Sequence, residues 1–248
     1  MKVFTHSDFL SVYVREPAAA PGRIESVLEA IRDEVSLEDA FPASEDDILA
    51  VHSRSHVQSV TRMGLYNIAA LAAGAAIQTA LAGIEEPSFG LIRPPGHHAS
   101  SDHAWGFCYF NNMAIALEHL KATGHIRTAH VLDFDLHYGD GTVNILGGKG
   151  YVSIHNPDSS NRKEYLTEVA GHLDSINVDI IAISAGFDNH VEDWGMTLHT
   201  EDYQEMGRMV HSACQRLQIG CFALLEGGYN HNVLGKNVRA FLQGIQGR

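Results

Sequence analysis

Residues 129–140 read AHVLDFDLHYGD, and this stretch indicates the fold of the chain. Residues 129–134 form a short and largely apolar run, which is typical of a β-strand that is buried on both faces of a sheet. Polar residues and a glycine follow at once, as they do where such a strand ends. The stretch therefore predicts a buried strand that delivers aspartate and histidine side chains at its carboxyl end.

The same pattern recurs along the chain. Further short apolar runs predict strands at residues 2–5, 89–92, 151–154, 179–183 and 221–225. Apolar residues at helical spacing predict helices at residues 23–35, 67–82, 113–122, 163–176, 202–217 and 232–245. Strands that alternate with helices favour a parallel sheet. We therefore expect an α/β fold, in which residues 1–248 form a single domain built on an open parallel sheet with helices on both faces.

Charge and cysteine content exclude several classes of protein. The chain has 30 acidic and 17 basic residues, a net charge of −13, which argues against nucleic acid or an anionic membrane as a partner. The same charge favours cationic small molecules or basic peptides. Three cysteines without a CxxC pair predict no disulfide framework and a cytoplasmic location. We also expect no signal peptide and no membrane span, because no run is long and apolar enough.

Polar and titratable residues follow four of the predicted strands. Besides residues 135–140, these are RPPGHH at 93–98, SAGFD at 184–188 and EGGYN at 226–230. In parallel α/β sheets, ligands bind beyond the carboxyl ends of the strands. The chain is also rich in histidine, with 16 residues, and histidine is a common metal ligand and acid–base group. The strand ends therefore predict one shared site.

Asp135, His137 and Asp188 are candidate metal ligands. Asp135 and His137 lie two residues apart, so both side chains can point to the same side of an extended chain. Asp188, from another strand end, can complete the set. One histidine with two carboxylates suits Zn²⁺ or Fe²⁺ and leaves a position for water and substrate. The alternative for Asp135 and His137 is a polar strand end without a metal.

His97 and His98 are candidate acid–base residues. They follow a Pro-Pro-Gly turn, and Asp133 and Asp140 are spare carboxylates that can each orient one imidazole. Attack of a water on an amide also needs a donor to the developing oxyanion, and Tyr229 on a Gly-Gly turn is a candidate. The alternatives are a second metal pair or a structural loop for the histidines, and a surface turn for the tyrosine.

The motifs together resemble the histone deacetylase family, which includes the acetylpolyamine amidohydrolases and the class II deacetylases. The resemblance rests on RPPGHHA at 93–99, GFCYFNN at 106–112, DFDLHYGDG at 133–141, SAGFD at 184–188 and EGGY at 226–229, all in the family's order. Residues 17–24 also resemble its N-terminal segment. The resemblance implies the arginase–deacetylase fold and zinc-dependent hydrolysis of N-acyl amines, in a short member of bacterial or archaeal type with trimmed loops.

The resemblance also implies a role for each motif residue. Asp135, His137 and Asp188 would bind Zn²⁺, with Fe²⁺ or Co²⁺ as alternatives. In the reaction, His98 would act as general base and then as acid, His97 would act mainly through its charge, and Tyr229 would polarise the acyl carbonyl. Asp133 would partner His97, and Asp140 would partner His98. The residues expected to line the substrate tunnel are Gly106 and Phe107, with Trp194 a candidate for its mouth.

A structural K⁺ near the zinc is a further implication of the resemblance. Its ligands would be Asp133, the backbone carbonyls of Asp135 and His137, and residues Ser153 and Ile154.

The chain departs from the family's pattern around the substrate entrance. The loop after His56 is short, without the family's acidic substrate-gripping residue or the dimerisation insertion of the acetylpolyamine enzymes. Residues 156–162, NPDSSNR, lack the aromatic of the family's second tunnel wall. A shallower, more open tunnel follows, unless an oligomer covers it. Trp194 replaces part of another family loop, and it lines the mouth or packs under that loop.

We therefore expect a deacetylase that acts on small acylated amines such as acetylpolyamines. The charge of −13 and Glu226 favour such substrates. The alternatives are an acetyl-lysine protein deacylase, a hydrolase of a specialised amide, and a non-catalytic metal-binding module on the same fold. A ureohydrolase is disfavoured because its Asp-rich motifs are absent, and neither charge nor motif supports a nucleic acid or membrane partner.

Overall fold

The computed structural model describes residues 1–248 and contains one parallel sheet of seven strands. The strands are β1 (Lys2–Thr5), β2 (Ser36–Asp39), β3 (Ser88–Gly90), β4 (Ala129–Asp133), β5 (Val152–His155), β6 (Ile180–Ala185) and β7 (Gly220–Leu225). Their order across the sheet is β2-β1-β3-β7-β6-β4-β5, and every pairing is parallel. The predicted α/β fold with an open parallel sheet is confirmed.

Nine α-helices cover the sheet in two packed groups. They are α1 (Arg23–Ile31), α2 (Glu45–Leu49), α3 (Arg54–Arg62), α4 (Tyr66–Ala82), α5 (Asn112–Ala122), α6 (Asp140–Leu146), α7 (Arg162–Ser175), α8 (Thr200–Leu217) and α9 (His231–Ile245). Helices α1, α7, α8 and α9 pack in series, and α2 to α6 form the other group. Every residue of β6 is buried, so both faces of the sheet's centre are covered. No helix combines the length and the apolar character that a bilayer crossing requires.

The structure contains elements that the apolar pattern did not predict. Strand β2 has the sequence SLED and lies at the edge of the sheet, where it pairs only with β1 and is mostly exposed. An edge strand does not need the continuous apolar run of a central strand, so the pattern missed it. Helices α2 and α3 are short and are capped by the preceding Ser44 and Ser53, whose hydroxyls accept hydrogen bonds from backbone N–H groups.

His52 connects the segment between α2 and α3 to the loop that carries the histidine pair. Its Nδ1 lies 3.0 Å from the carbonyl oxygen of Ser100, and its Nε2 accepts the N–H of Asn111 at 2.9 Å. The side chain is buried, and burial together with the nearby His56 lowers the pKa of His52 to about 4. His52 therefore stays neutral in the folded protein at neutral pH and holds the loop at two points.

We predict that His52 makes the stability of the fold depend on pH. Its pKa is lower in the folded state than the ordinary value of 6.5, so its contribution is complete above about pH 6.5 and is lost as the pH falls towards 4. The stability advantage of the wild type over His52→Asn should therefore shrink by about 3 kcal/mol between pH 7 and pH 4. Urea unfolding of both proteins across this range measures it, and parallel pH profiles would contradict the prediction.

Candidate active site

The candidate site lies where four neighbouring strands end. Strands β3, β7, β6 and β4 are consecutive in the sheet, and all run in the same direction. The segments that follow them carry the histidine pair, the Gly-Gly-Tyr turn, Asp188 and the Asp-x-Asp-x-His motif respectively. The sheet order therefore brings together residues that are far apart in the sequence.

Asp135, His137 and Asp188 form a cluster whose candidate ligand atoms all lie within 4.8 Å of one another. The Nδ1 of His137 is 3.2 Å from Asp135 Oδ1 and 3.1 Å from Asp188 Oδ2. Each carboxylate uses its other oxygen elsewhere: Asp135 Oδ2 accepts the N–H of Gly227, and Asp188 Oδ1 accepts the N–H of Leu136. The backbone thus orients both carboxylates with one oxygen towards the cluster.

The electrostatics of this cluster fit a divalent cation. Asp188 Oδ2 is buried, and although His137 Nδ1 lies 3.1 Å away, the two atoms are not aligned for a hydrogen bond. Burial and the negative charge of Asp135 raise the pKa of Asp188 to about 6. Two buried carboxylates that face one another are costly without a positive charge between them. The set of one imidazole and two carboxylates therefore fits a metal ion of the zinc type, and Asp135, His137 and Asp188 are the residues that could hold it.

The two adjacent histidines sit in different electrostatic environments. His97 Nδ1 lies 3.1 Å from Asp133 Oδ2, and His98 Nδ1 lies 2.7 Å from Asp140 Oδ1. Burial lowers the pKa of His97, but the carboxylates of Asp133 and Asp135 outweigh this and hold that pKa well above its ordinary value. Burial and the neighbouring His97 lower the pKa of His98 to about 4. Two imidazoles with opposite pKa shifts suit a site that needs a base and a cation.

A small aromatic cavity opens over these residues. Its volume is about 140 Å³, and it is lined by Pro95, His97, His98, Trp105, Gly106, Phe107, His137, Trp194, Gly227 and Tyr229. Gly106 has a positive φ of 59°, and a Cβ there would lie 2.4 Å from the His98 ring. Glycine is therefore required for the loop to approach His98 so closely. The structure thus places the three expected substrate-contacting residues, Gly106, Phe107 and Trp194, on one cavity.

Tyr229 reaches the same cavity and is held by the loop around Asp193. The backbone N–H groups of Tyr229 and Asn230 donate to Asp193 Oδ2 at 2.7 and 2.8 Å. The Trp194 ring stacks on the Tyr229 ring, with centroids 4.0 Å apart and an interplanar angle of 25°. Burial raises the pKa of Tyr229 far above its ordinary value, so its hydroxyl stays protonated and can donate.

Trp105 belongs to the site, although sequence reasoning did not single it out. Its ring lies against His98 with centroids 3.8 Å apart and an interplanar angle of 30°, and its Nε1–H donates to Asp140 Oδ2 at 2.9 Å. Asp140 therefore holds both the indole and the imidazole, and Trp105 restricts the orientation of His98. The sequence feature that could have indicated this role is the position of Trp105 directly before Gly106.

The expectation that Glu226 attracts cationic substrates is wrong. Glu226 is fully buried, and its Oε2 accepts the N–H of Gly96 at 2.7 Å and that of His97 at 3.2 Å. Burial raises the pKa of Glu226 to about 7. Its side chain does not face solvent and instead holds the loop that carries His97 and His98 against the end of β7.

The residues expected to bind potassium lie on the neighbouring strands β4 and β5 and in the segment directly after β4. In the pairing of β4 with β5, Ser153 is aligned with His130, three residues before Asp133, and Ile154 is aligned with Val131. The Ser153 hydroxyl lies 2.8 Å from His130 Nδ1. The potassium site therefore stays a prediction.

Comparisons with known proteins agree on one family. A model of the histone deacetylase domain matches residues 60–165 and 147–245. A probable deacetylase of Methanothermobacter thermautotrophicus is 32% identical over 91% of this chain and 85% of its own length. A histone deacetylase-like amidohydrolase of Pseudomonas aeruginosa is 30% identical over 88% of this chain and 75% of its length. An acetylpolyamine amidohydrolase of Burkholderia pseudomallei is 30% identical over 71% of this chain and 60% of its length.

A solved structure supports the fold alone. The crystal structure of the HDA15 HD domain superposes with a TM-score of 0.83, covering 99% of this chain and 89% of that one at 22% sequence identity.

We predict that Asp188→Asn removes one equivalent of tightly bound metal per chain relative to the wild type. The substitution takes one negative charge from the cluster while it keeps the size of the side chain. Elemental analysis after dialysis of metal-loaded protein measures the loss. Asp102→Asn, which neutralises an exposed aspartate, serves as the control and should keep the wild-type content. Equal metal contents in Asp188→Asn and the wild type would contradict the ligand assignment.

Proposed function

Because the chain belongs to the histone deacetylase family, we propose that it is a zinc-dependent amidohydrolase that removes acetyl groups from small acylated amines such as acetylpolyamines. Its relatives carry the names of deacetylases and amidohydrolases, and the chain is a hydrolase of amide bonds like them. The main support for a metal and for this mechanism is the cluster around Asp188. One carboxylate oxygen of Asp188 is buried without a hydrogen bond and faces His137. Beside it, the pKa values of His97 and His98 are shifted in opposite directions.

Asp135, His137 and Asp188 are the residues that would hold the metal. A bound Zn²⁺ would supply Lewis-acid polarisation of the scissile carbonyl and a lower pKa for the attacking water. Fe²⁺ and Co²⁺ suit the same donor set.

The two histidine–aspartate pairs supply the proton chemistry. His98 is neutral at neutral pH, because its pKa is lowered, so it can take the proton of the attacking water and pass it to the leaving amine. Asp140 and Trp105 fix the direction of its ring. His97, with its raised pKa and its bond to Asp133, stays positively charged and stabilises the negative charge that develops on the amide.

Tyr229 supplies a hydrogen bond to the carbonyl oxygen. Its hydroxyl stays protonated, and its ring is held between Trp194 and the edge of Phe107. A donor fixed in this way stabilises the oxyanion without reorganising during the reaction. The small cavity between these aromatic rings suits a short acyl group and a linear alkyl arm.

A second, larger cavity supports an amine substrate. It has a volume of about 570 Å³ and shares Trp105, Gly106 and Phe107 with the catalytic cavity, so the two cavities are adjacent. Glu16 lines it, and Glu16 Oε1 is buried without a hydrogen-bond partner. If the Glu16 side chain turned towards the cavity, its carboxylate would pair with the distal ammonium of a polyamine arm.

An acetyl-lysine protein deacylase is the second candidate. Trp105 and Trp194 are 51% and 49% exposed and flank the catalytic cavity, so they could also contact a peptide around an acetyl-lysine. The charge of −13 favours basic peptides as well as polyamines.

We predict that Tyr229→Phe lowers kcat roughly 10²- to 10³-fold, which is the usual effect of removing one oxyanion donor. The change deletes only the hydroxyl and keeps the ring between its aromatic neighbours. Steady-state kinetics on an acetylated amine measure it, with Tyr138→Phe, an exposed tyrosine, as the control. Turnover close to the wild-type value would remove Tyr229 from the mechanism.

A competition experiment tests the substrate class. The zinc-loaded protein is incubated with N-acetylputrescine, N-acetylspermidine and an acetyl-lysine peptide, and mass spectrometry follows each product. We expect the polyamines to be consumed first, and we expect Glu16→Gln to raise KM for them roughly fivefold with kcat unchanged, because the lost contact lies away from the scissile bond. Selective loss of the peptide would favour the protein deacylase.

The control variant is Glu29→Gln, which makes the same change of charge at an exposed site. If it raised KM as much as Glu16→Gln does, the effect would belong to the net charge of the protein and not to the second cavity.

A further inference from the structure

A second group of metal-ligating side chains lies between β5 and α7. It consists of His155, Glu168 and His172, whose candidate ligand atoms all lie within 4.8 Å of one another. His155 is the last residue of β5, and Glu168 and His172 both lie on α7. Residues four apart on a helix share one face, so Glu168 and His172 meet His155 from the same side.

This group is separate from the catalytic site. None of its residues lines the catalytic cavity. His155 is aligned with Leu132 of β4, and successive side chains of a strand point to opposite faces of the sheet. His155 and Leu132 therefore lie on one face, and the catalytic Asp133 points to the other.

The group contains an unsatisfied polar atom. His155 is only 7% exposed, and its Nε2 is buried without a hydrogen-bond partner, although Glu168 Oε1 lies 3.4 Å away. A buried imidazole nitrogen without a partner is costly. A cation that both His155 and Glu168 coordinate would satisfy this nitrogen and the carboxylate together.

Both imidazoles can serve as ligands of one ion once the exposed ring of His172 turns out of its present stack on His155, because an imidazole nitrogen binds a metal in the plane of its ring. The rings of His155 and His172 stack with centroids 3.5 Å apart and an interplanar angle of 14°. Two nitrogens and one carboxylate oxygen suit Zn²⁺ and neighbouring transition-metal ions.

The site is open to solvent on its helical side. His172 is exposed, and the side chain of Glu168 is 29% exposed. An ion can therefore enter from the surface and bind between the edge strand and the helix that covers it. We propose that His155, Glu168 and His172 form a second transition-metal site that links β5 to α7 and stabilises this edge of the sheet.

The stoichiometry of Zn²⁺ binding tests the proposal. The full chain is dialysed against buffered Zn²⁺, and the bound metal is measured by elemental analysis. The wild type should bind two ions per chain, and His172→Phe and Glu168→Gln should each bind one. His172→Phe keeps a ring that can stack on His155 but has no nitrogen, so it separates coordination from packing. His125→Asn removes another exposed histidine and should still bind two ions.

A thermal measurement tests the stabilising role apart from catalysis. In Asp188→Asn, which weakens the catalytic cluster, added Zn²⁺ should still raise the unfolding midpoint, since a ligand that binds only the folded state stabilises it. The double variant Asp188→Asn/His172→Phe should show no such rise. A His172→Phe variant that binds as many ions as the wild type, or equal rises in the single and double variants, would overturn the proposal. None of these readouts depends on amide hydrolysis.

Discussion

Two buried carboxylates that face one imidazole are the constraint on which the rest of the site depends. Asp135 and Asp188 come from loops after β4 and β6, which are neighbours in the sheet. Each carboxylate is oriented by a backbone N–H, from Gly227 and Leu136 respectively, so one oxygen of each is committed to the scaffold. A Cβ at Gly227 would lie 2.5 Å from Asp135 Oδ2, which explains the glycine at this position. The fold thus places two negative charges close together, and a bound cation would balance them.

The surrounding residues give the two adjacent histidines different protonation states. His97 lies close to Asp133 and Asp135 and is held in its charged form. His98 lies beside the charged His97 and is held neutral, with Asp140 on its other side. Glu226 fixes the loop that carries both by accepting two of its backbone N–H groups. The two adjacent imidazoles therefore differ in pKa because His97 faces two carboxylates, whereas His98 is buried beside the charged His97.

The sequence predicted the parts of the structure that depend on local pattern. Central strands such as β4 and β6 are largely apolar because both of their faces are buried, so their position could be inferred, and the polar residues at their ends indicated the site. Strand β2 was missed because one side of it meets solvent and its sequence is polar. Glu226 was misjudged because its burial depends on the Gly96–His97 backbone, which is distant in the sequence. Trp105 was missed because its ring contact with His98 is a tertiary contact that periodicity does not reveal.

The position of the tryptophans determines what the fluorescence of the protein can report. The chain contains two tryptophans, and both Trp105 and Trp194 line the catalytic cavity, one against His98 and the other against Tyr229. All of its indole fluorescence therefore arises beside the catalytic residues and none from the core. The intensity and wavelength of tryptophan emission therefore depend on the polarity of the pocket and on the charge of His98. Ligand entry can thus be followed by fluorescence without a label.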